Sequence, residues 1–111
     1  MGARLAAGVW VSAYLARLRQ AAIPVYVAAR GEGTSGAVAV KLATLDGRAA
    51  LWRRVFDPMA EARAWVCVSE GLESAIDAQI ARERARDPDL WVIEVEDRLG
   101  RHLLDGDGME G

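Results

Sequence analysis

Apolar residues recur along this chain first at helical and then at strand spacing. Trp10, Tyr14 and Leu18 stand four positions apart with Val11 and Leu15 beside them, which predicts an amphipathic helix over about residues 6–22. Pro24 stops that helix, and Val25 to Ala29 read as a short strand. Residues 37–45 and 48–56 alternate apolar and polar positions on either side of Asp46-Gly47, the signature of a hairpin closed by a two-residue turn. Pairing Leu45 with Arg48 sets a register that gathers Val38, Val40, Leu42, Leu51 and Val55 on one face. It also places Lys41 across from Trp52 on the other.

Asp57-Pro58 breaks the second hairpin strand, and residues 63–68 resume as a third. Ser69 then suits the N-cap of a helix over residues 70–86, with Leu72, Ile76 and Ile80 as its inward stripe. Asp87-Pro88-Asp89 terminates the helix and leads into a strand over residues 90–96, followed by a turn at 97–100 and a short extended return over 101–104. These elements predict one α+β domain over residues 1–105, a four- or five-stranded, mainly antiparallel or mixed sheet packed with two helices. The longer helical crossing can set the last strand centrally. Residues 106–111, rich in glycine and acids, are expected to fray.

Composition narrows this picture. At 111 residues the chain fits one domain, and 27% charged residues, with no apolar run of about 18 residues, argue against both disorder and a spanning helix. A single cysteine, Cys67, excludes an internal disulfide. With no clear secretory cleavage pattern, cytoplasmic residence is the default expectation. The net charge is −2, which argues against nucleic acid as a partner. Its distribution is uneven: residues 1–54 carry 8 basic and 2 acidic side chains, and residues 55–111 carry 6 and 14. Folding the basic half against the acidic half accounts for this, and complementation between subunits is the other reading.

Candidate chemistry is sparse. Arg30 with Gly31, Gly33 and Gly36 could hold an anion through free backbone amides, although the spacing fits no nucleotide-binding loop and Glu32 would oppose an anion. Glu94 and Glu96 project from one strand face and could bind a hard cation. A small enzyme or anion-binding protein using Arg30 and these two carboxylates is therefore the alternative function. His102, the only histidine, leaves no two-histidine metal site. No catalytic, cofactor-binding or metal-ligating residue is assigned, and no cofactor is expected. Trp52, Phe56 and Trp65 fall on alternating strand positions and could anchor a protein interface, so a protein-interaction or regulatory module is favoured, acting as a homodimer or on another protein.

Several segments together resemble a known family: Arg4-Leu5, Trp10-Val11 with Ala13-Tyr14, Arg30-Gly31, residues 37–42, and above all the run from Asp87 to Arg98 followed by Gly100-Arg101. Over about residues 4–105 the chain resembles the small alphaproteobacterial family registered as domain of unknown function 1491. The resemblance implies a stand-alone bacterial protein, and it carries no activity or catalytic residue to transfer.

Overall fold

The computed structural model describes residues 5–105; the frayed tail expected at 106–111 lies outside the described residues. Two helices and five strands follow in the order α1 (Ala7–Gln20), β1 (Val25–Ala29), β2 (Val38–Ala43), β3 (Arg48–Asp57), β4 (Ala62–Leu72), α2 (Glu73–Arg86) and β5 (Trp91–Glu96). They build one mixed sheet in the order β1-β5-β2-β3-β4. Strand β5 runs parallel to β2 and antiparallel to β1, while β2-β3 and β3-β4 are antiparallel. The predicted α+β class holds, and the helical crossing does set the last strand inside the sheet.

Each face of the sheet carries one helix. On the first face Trp10, Tyr14 and Leu18 of α1 are fully buried against Val38, Val40 and Leu42 of β2 and Trp91, Ile93 and Val95 of β5. On the second, Ile76 of α2 is buried with Ala39, Ala49, Leu51 and Val92. No side chain caps α1. Its first free amides are met instead by the 31–36 loop: Ala7 N–H donates to Thr34 O at 3.0 Å and Gly8 N–H to Gly33 O at 2.8 Å. At the other end Ile23 N–H donates back to Leu18 O, with Ala22 at φ 59°, a left-handed closure.

The hairpin departs from the predicted register by one residue. Val40 pairs with Trp52, and Lys41 pairs with Leu51. Thr44 N–H donates to Arg48 O, so the loop is Leu45-Asp46-Gly47, three residues long rather than two. Asp46 builds it: its carboxylate accepts from the Thr44 hydroxyl at 2.6 Å and from Arg48 N–H at 3.1 Å. Because side chains alternate faces, this single step moves every residue of β3 to the opposite side. Trp52 joins Val40 under α1, and Leu51 joins Lys41 under α2. The predicted grouping of Leu51 with the β2 valines is overturned.

Helix α2 also begins later than predicted. Ser69 is not its cap: Ser69, Glu70, Gly71 and Leu72 continue β4 and pair with Leu51, Ala50, Ala49 and Arg48. The ladder with β3 offers these residues hydrogen bonds that an isolated first turn could not match. Gly71, at φ 154°, takes a conformation open chiefly to glycine before the chain turns. The helix then opens on Glu73, whose N–H donates to Gly47 O of the hairpin loop at 2.9 Å. Leu72 consequently leaves the predicted stripe and is exposed, while Ile80 is half-buried.

Candidate functional site

Two polar and aromatic centres occupy opposite faces of the sheet. The one under α2 surrounds Lys41, the chain's single lysine, which is 4% exposed. Its Nζ lies 2.7 Å from Glu73 Oε2 and 2.7 Å from Asp77 Oδ1, one helical turn apart on α2, and 3.5 Å from Glu94 Oε1 on neighbouring β5. Burial works to lower the Lys41 pKa, but the hydrogen bonds that its ammonium donates to Asp77 and Glu73 and the charge of Glu94 outweigh it and raise the value. Tyr26 of β1, opposite Glu94, is pushed up to about 12 by burial first and then by hydrogen bonding to Glu94 and the nearby carboxylate charges.

Lys41 and Glu94 stand 53 positions apart in the sequence, and the parallel β2-β5 pairing makes them direct neighbours. Of the two carboxylates that the sequence shows could bind a hard cation, Glu94 lies beside an ammonium from the chain itself. Among the described residues no three His, Cys, Asp or Glu side chains are grouped so as to hold a metal ion. Arg53 and Glu83 form a second ion pair on this face. In both cases the cation comes from the basic half of the sequence and the carboxylates from the acidic half, so the two halves complement each other within one chain.

The Arg30–Gly36 loop uses its own donors. The Glu32 carboxylate accepts from Thr34 N–H at 3.0 Å and Ser35 N–H at 2.7 Å, which holds it below the usual carboxylate range. Of the glycines named as anion-binding candidates with Arg30, Gly36 donates its N–H to Glu32 O at 3.3 Å. Gly31 and Gly36 press on the segment that leads into β5: a Cβ would come within 2.2 Å and 2.5 Å of Asp89 O respectively. The Arg30 guanidinium sits 5.4 Å from the centre of the Trp91 ring. Trp91 faces α1 whereas Glu94, three positions on, faces α2, so Arg30 and the Glu94/Glu96 pair do not share a pocket.

The second centre is aromatic and lies on the α1 face, towards β4. Trp10 is stacked on Tyr14 at 4.9 Å and meets Trp65 of β4 at 5.1 Å, with the Arg54 guanidinium 5.2 Å from Trp10 and 5.3 Å from Trp65. Trp52 and Trp65, expected as surface anchors, are half-buried and packed against the main core; Phe56 is 59% exposed. After β5 the chain turns at Gly100, where the Asp97 carboxylate accepts from the Arg101 amide and guanidinium. Residues 101–104 then return as a strap across the aromatic face.

Three contacts fix this strap. The Tyr14 hydroxyl donates to His102 O at 2.6 Å, the His102 ring lies 4.3 Å from Trp52, and Leu104 is buried. Between strap and sheet a cleft of about 440 Å³ is lined by Trp52, Arg63, Ala64, Trp65, His102, Leu104 and Asp105. Leu104 N–H donates to His102 Nδ1 at 2.9 Å, leaving Nε2 to carry the proton of the neutral ring. Trp52 Nε1 is buried with no hydrogen-bond partner among the described residues.

Burial lowers the His102 pKa below its ordinary 6.5, against an opposing pull from Asp105. The strap's contribution from this neutral ring is then complete above pH 6.5 and lost as pH falls through the lower folded value. A proton NMR titration of the single histidine should give a midpoint below 6.5, with denaturant stability declining over the same window. A midpoint at or above 6.5 would contradict the packed position of the ring.

A mixed five-stranded sheet held between two helices, carrying an aromatic cleft under a C-terminal strap, defines a small α+β protein. Comparison with known proteins gives it a family. The profile described as "Protein of unknown function (DUF1491)" matches residues 5–105, and the chain belongs to this alphaproteobacterial family. The crystal structure of a DUF1491 family protein from Caulobacter crescentus superposes with a TM-score of 0.83 at 35% identity, covering 92% of this chain and 96% of that one. An NMR structure of a DUF1491 family protein from the same organism gives 0.77 at 35% identity over 91% and 93%. The solution structure of protein Atu0922 from A. tumefaciens gives 0.72 at 28% identity over 97% and 92%. No curated protein matches the chain.

Proposed function

We propose that this protein is a cytoplasmic protein-interaction module that acts through the outer edge of β4, with a second copy of the chain as its first partner. One observation carries the reading: among the described residues β4, eleven residues long, pairs with β3 on one side only and keeps Val66 and Val68 exposed at its middle. An unpaired strand of this length offers a row of backbone donors and acceptors to another strand. Val55 of β3, exposed on the same face as Val66, and Phe56, exposed on the opposite face, add apolar area beside it. Of the three aromatics expected as anchors, Phe56 is the one free to meet a partner; Trp52 and Trp65 support the surface from within. Antiparallel pairing of two β4 strands about a two-fold axis near Cys67 brings the two exposed thiols close together.

Sedimentation velocity over a concentration series tests this. The wild-type chain should self-associate, Val66→Lys should shift the equilibrium towards monomer by at least about tenfold, and a short bismaleimide should link two chains through Cys67. A wild-type protein that stays monomeric at high micromolar concentration would remove the homodimer and leave another protein as the partner of this edge. Nucleic acid is not part of the reading, because the chain is net acidic.

A further inference from the structure

The strap over the α1 face is closed through the chain's single histidine, a side chain that changes charge near neutrality. Leu104 N–H donates to His102 Nδ1 at 2.9 Å, so the path of residues 102–104 depends on a ring nitrogen that is free to accept. The turn closed by that bond is strained: Leu103 stands at φ 55°, a left-handed backbone that a leucine keeps only where its surroundings hold it. The base of the strap is fixed, since Arg101 is tied to Asp97 through its amide and its guanidinium. Its far end is fixed by Leu104, which belongs to the core under α1. Between these points the His102 ring covers Trp52 at 4.3 Å.

We propose that the strap is a proton-operated latch: a proton taken up at His102 Nδ1 breaks the bond from Leu104 N–H, and the strap lifts from residue 103 onward, uncovering Trp52 and the seat of Leu104 while the sheet and both helices stay folded. An imidazolium carries a hydrogen on each ring nitrogen, so two donors then face each other where one donor met one acceptor. The surrounding groups leave this conflict standing. Trp52 of β3 presents a ring with no ionisable group. Tyr14 of α1 meets the His102 carbonyl rather than the ring, and burial raises its pKa, so this bond is indifferent to the proton and the base of the strap stays attached. Arg63 of β4, which has an interaction of its own, lines the same side. Asp105 is the carboxylate among the described residues that acts on the ring, and it favours the charged form without replacing the lost acceptor. Closure is therefore complete above the ordinary histidine value of 6.5 and is lost as pH falls through the lowered value of the closed state. The latch works independently of the β4 edge.

Amide hydrogen exchange of the full chain, followed by NMR from about pH 8 to about pH 5 and corrected for the intrinsic exchange rate, tests the latch. Protection at Leu104 should fall by at least about tenfold in step with the His102 titration, while amides of β2 and β5 change by less than about twofold. The Trp52 indole N–H, buried in the closed state, should lose protection in parallel with Leu104. His102→Asn supplies a side-chain oxygen that can accept from the amide two residues on and does not titrate, so this variant should stay closed across the range. His102→Ala should be open throughout. Unchanged Leu104 protection in the wild type would overturn the proposal. So would an equal loss in β2 and β5, which would mean that the whole domain loosens, or a pH dependence in His102→Asn matching that of the wild type. Should His102→Ala fail to fold, the wild type and His102→Asn decide the matter between them.

Discussion

Leu18→Ala should destabilise the protein by about 3 kcal/mol and lower its Tm by roughly 10 °C or more. Leu18 is fully buried at the C-terminal end of α1, and in the same cluster lie Val11, Tyr14 and Ile23. Its removal takes apolar contacts away and leaves a cavity that the surrounding β-strand residues, held by hydrogen bonds on both sides, can only partly close. The loss should appear as a shift in denaturant midpoint with an unchanged slope, because the variant still unfolds from the same compact state. A midpoint within error of the wild type would mean that α1 does not bury this face.

An effect of similar size, about 3 kcal/mol, is expected for Lys41→Ala. The ammonium is buried, and its removal leaves Glu73, Asp77 and Glu94 facing one another without a cation. Asp77 is half in solvent, which keeps the loss at the lower end for a buried pair. Lys41→Met retains the aliphatic stem yet should recover little, whereas adding Glu73→Gln, Asp77→Asn and Glu94→Gln to it should restore much of the stability. The sign of the pH dependence follows from the raised Lys41 pKa: the wild-type contribution is complete below the ordinary lysine value and is lost only in stronger alkali. Equilibrium urea unfolding across pH measures both, and equal stability of Lys41→Ala and wild type at neutral pH would show that the cluster is solvated in solution.

The elements of this fold were legible because their apolar spacing is strong: the α1 stripe, the β1 segment after Pro24 and the β5 run after Asp87-Pro88-Asp89 all stand where periodicity puts them. The hairpin strands were legible too, but their register was not. An Asp-Gly pair favours a two-residue turn, and only the Thr44–Asp46 hydrogen bond and the need to bury Trp52 under α1 select the longer loop. Ser69 misled for a related reason: a good cap residue yields when a neighbouring strand offers its backbone a continuous ladder. Of the candidate sites, the Lys41 cluster was hidden because a parallel pairing across a helical crossover joins residues distant in sequence. The lone lysine among thirteen arginines was the one available signal. The cleft was hidden because its third wall is a strap without periodicity. Only Trp52 and Trp65 pointed towards it, and the sequence read them as an outer surface.

The position of β5 also governs the order in which the molecule can be made. Among the described residues β1 pairs with the sheet only through β5, the last of the five strands to leave the ribosome. Until residues 91–96 emerge, the valines of β1 and the inner edge of β2 have no ladder, and α1 has half of its floor. Hairpin β2-β3-β4 can assemble early from local contacts, but the main core must wait for a closure spanning most of the chain. A topology of that kind pays its loop-closure entropy before its largest apolar gain, so folding is expected to be slow for the size of the domain and governed by the docking of its C-terminal quarter.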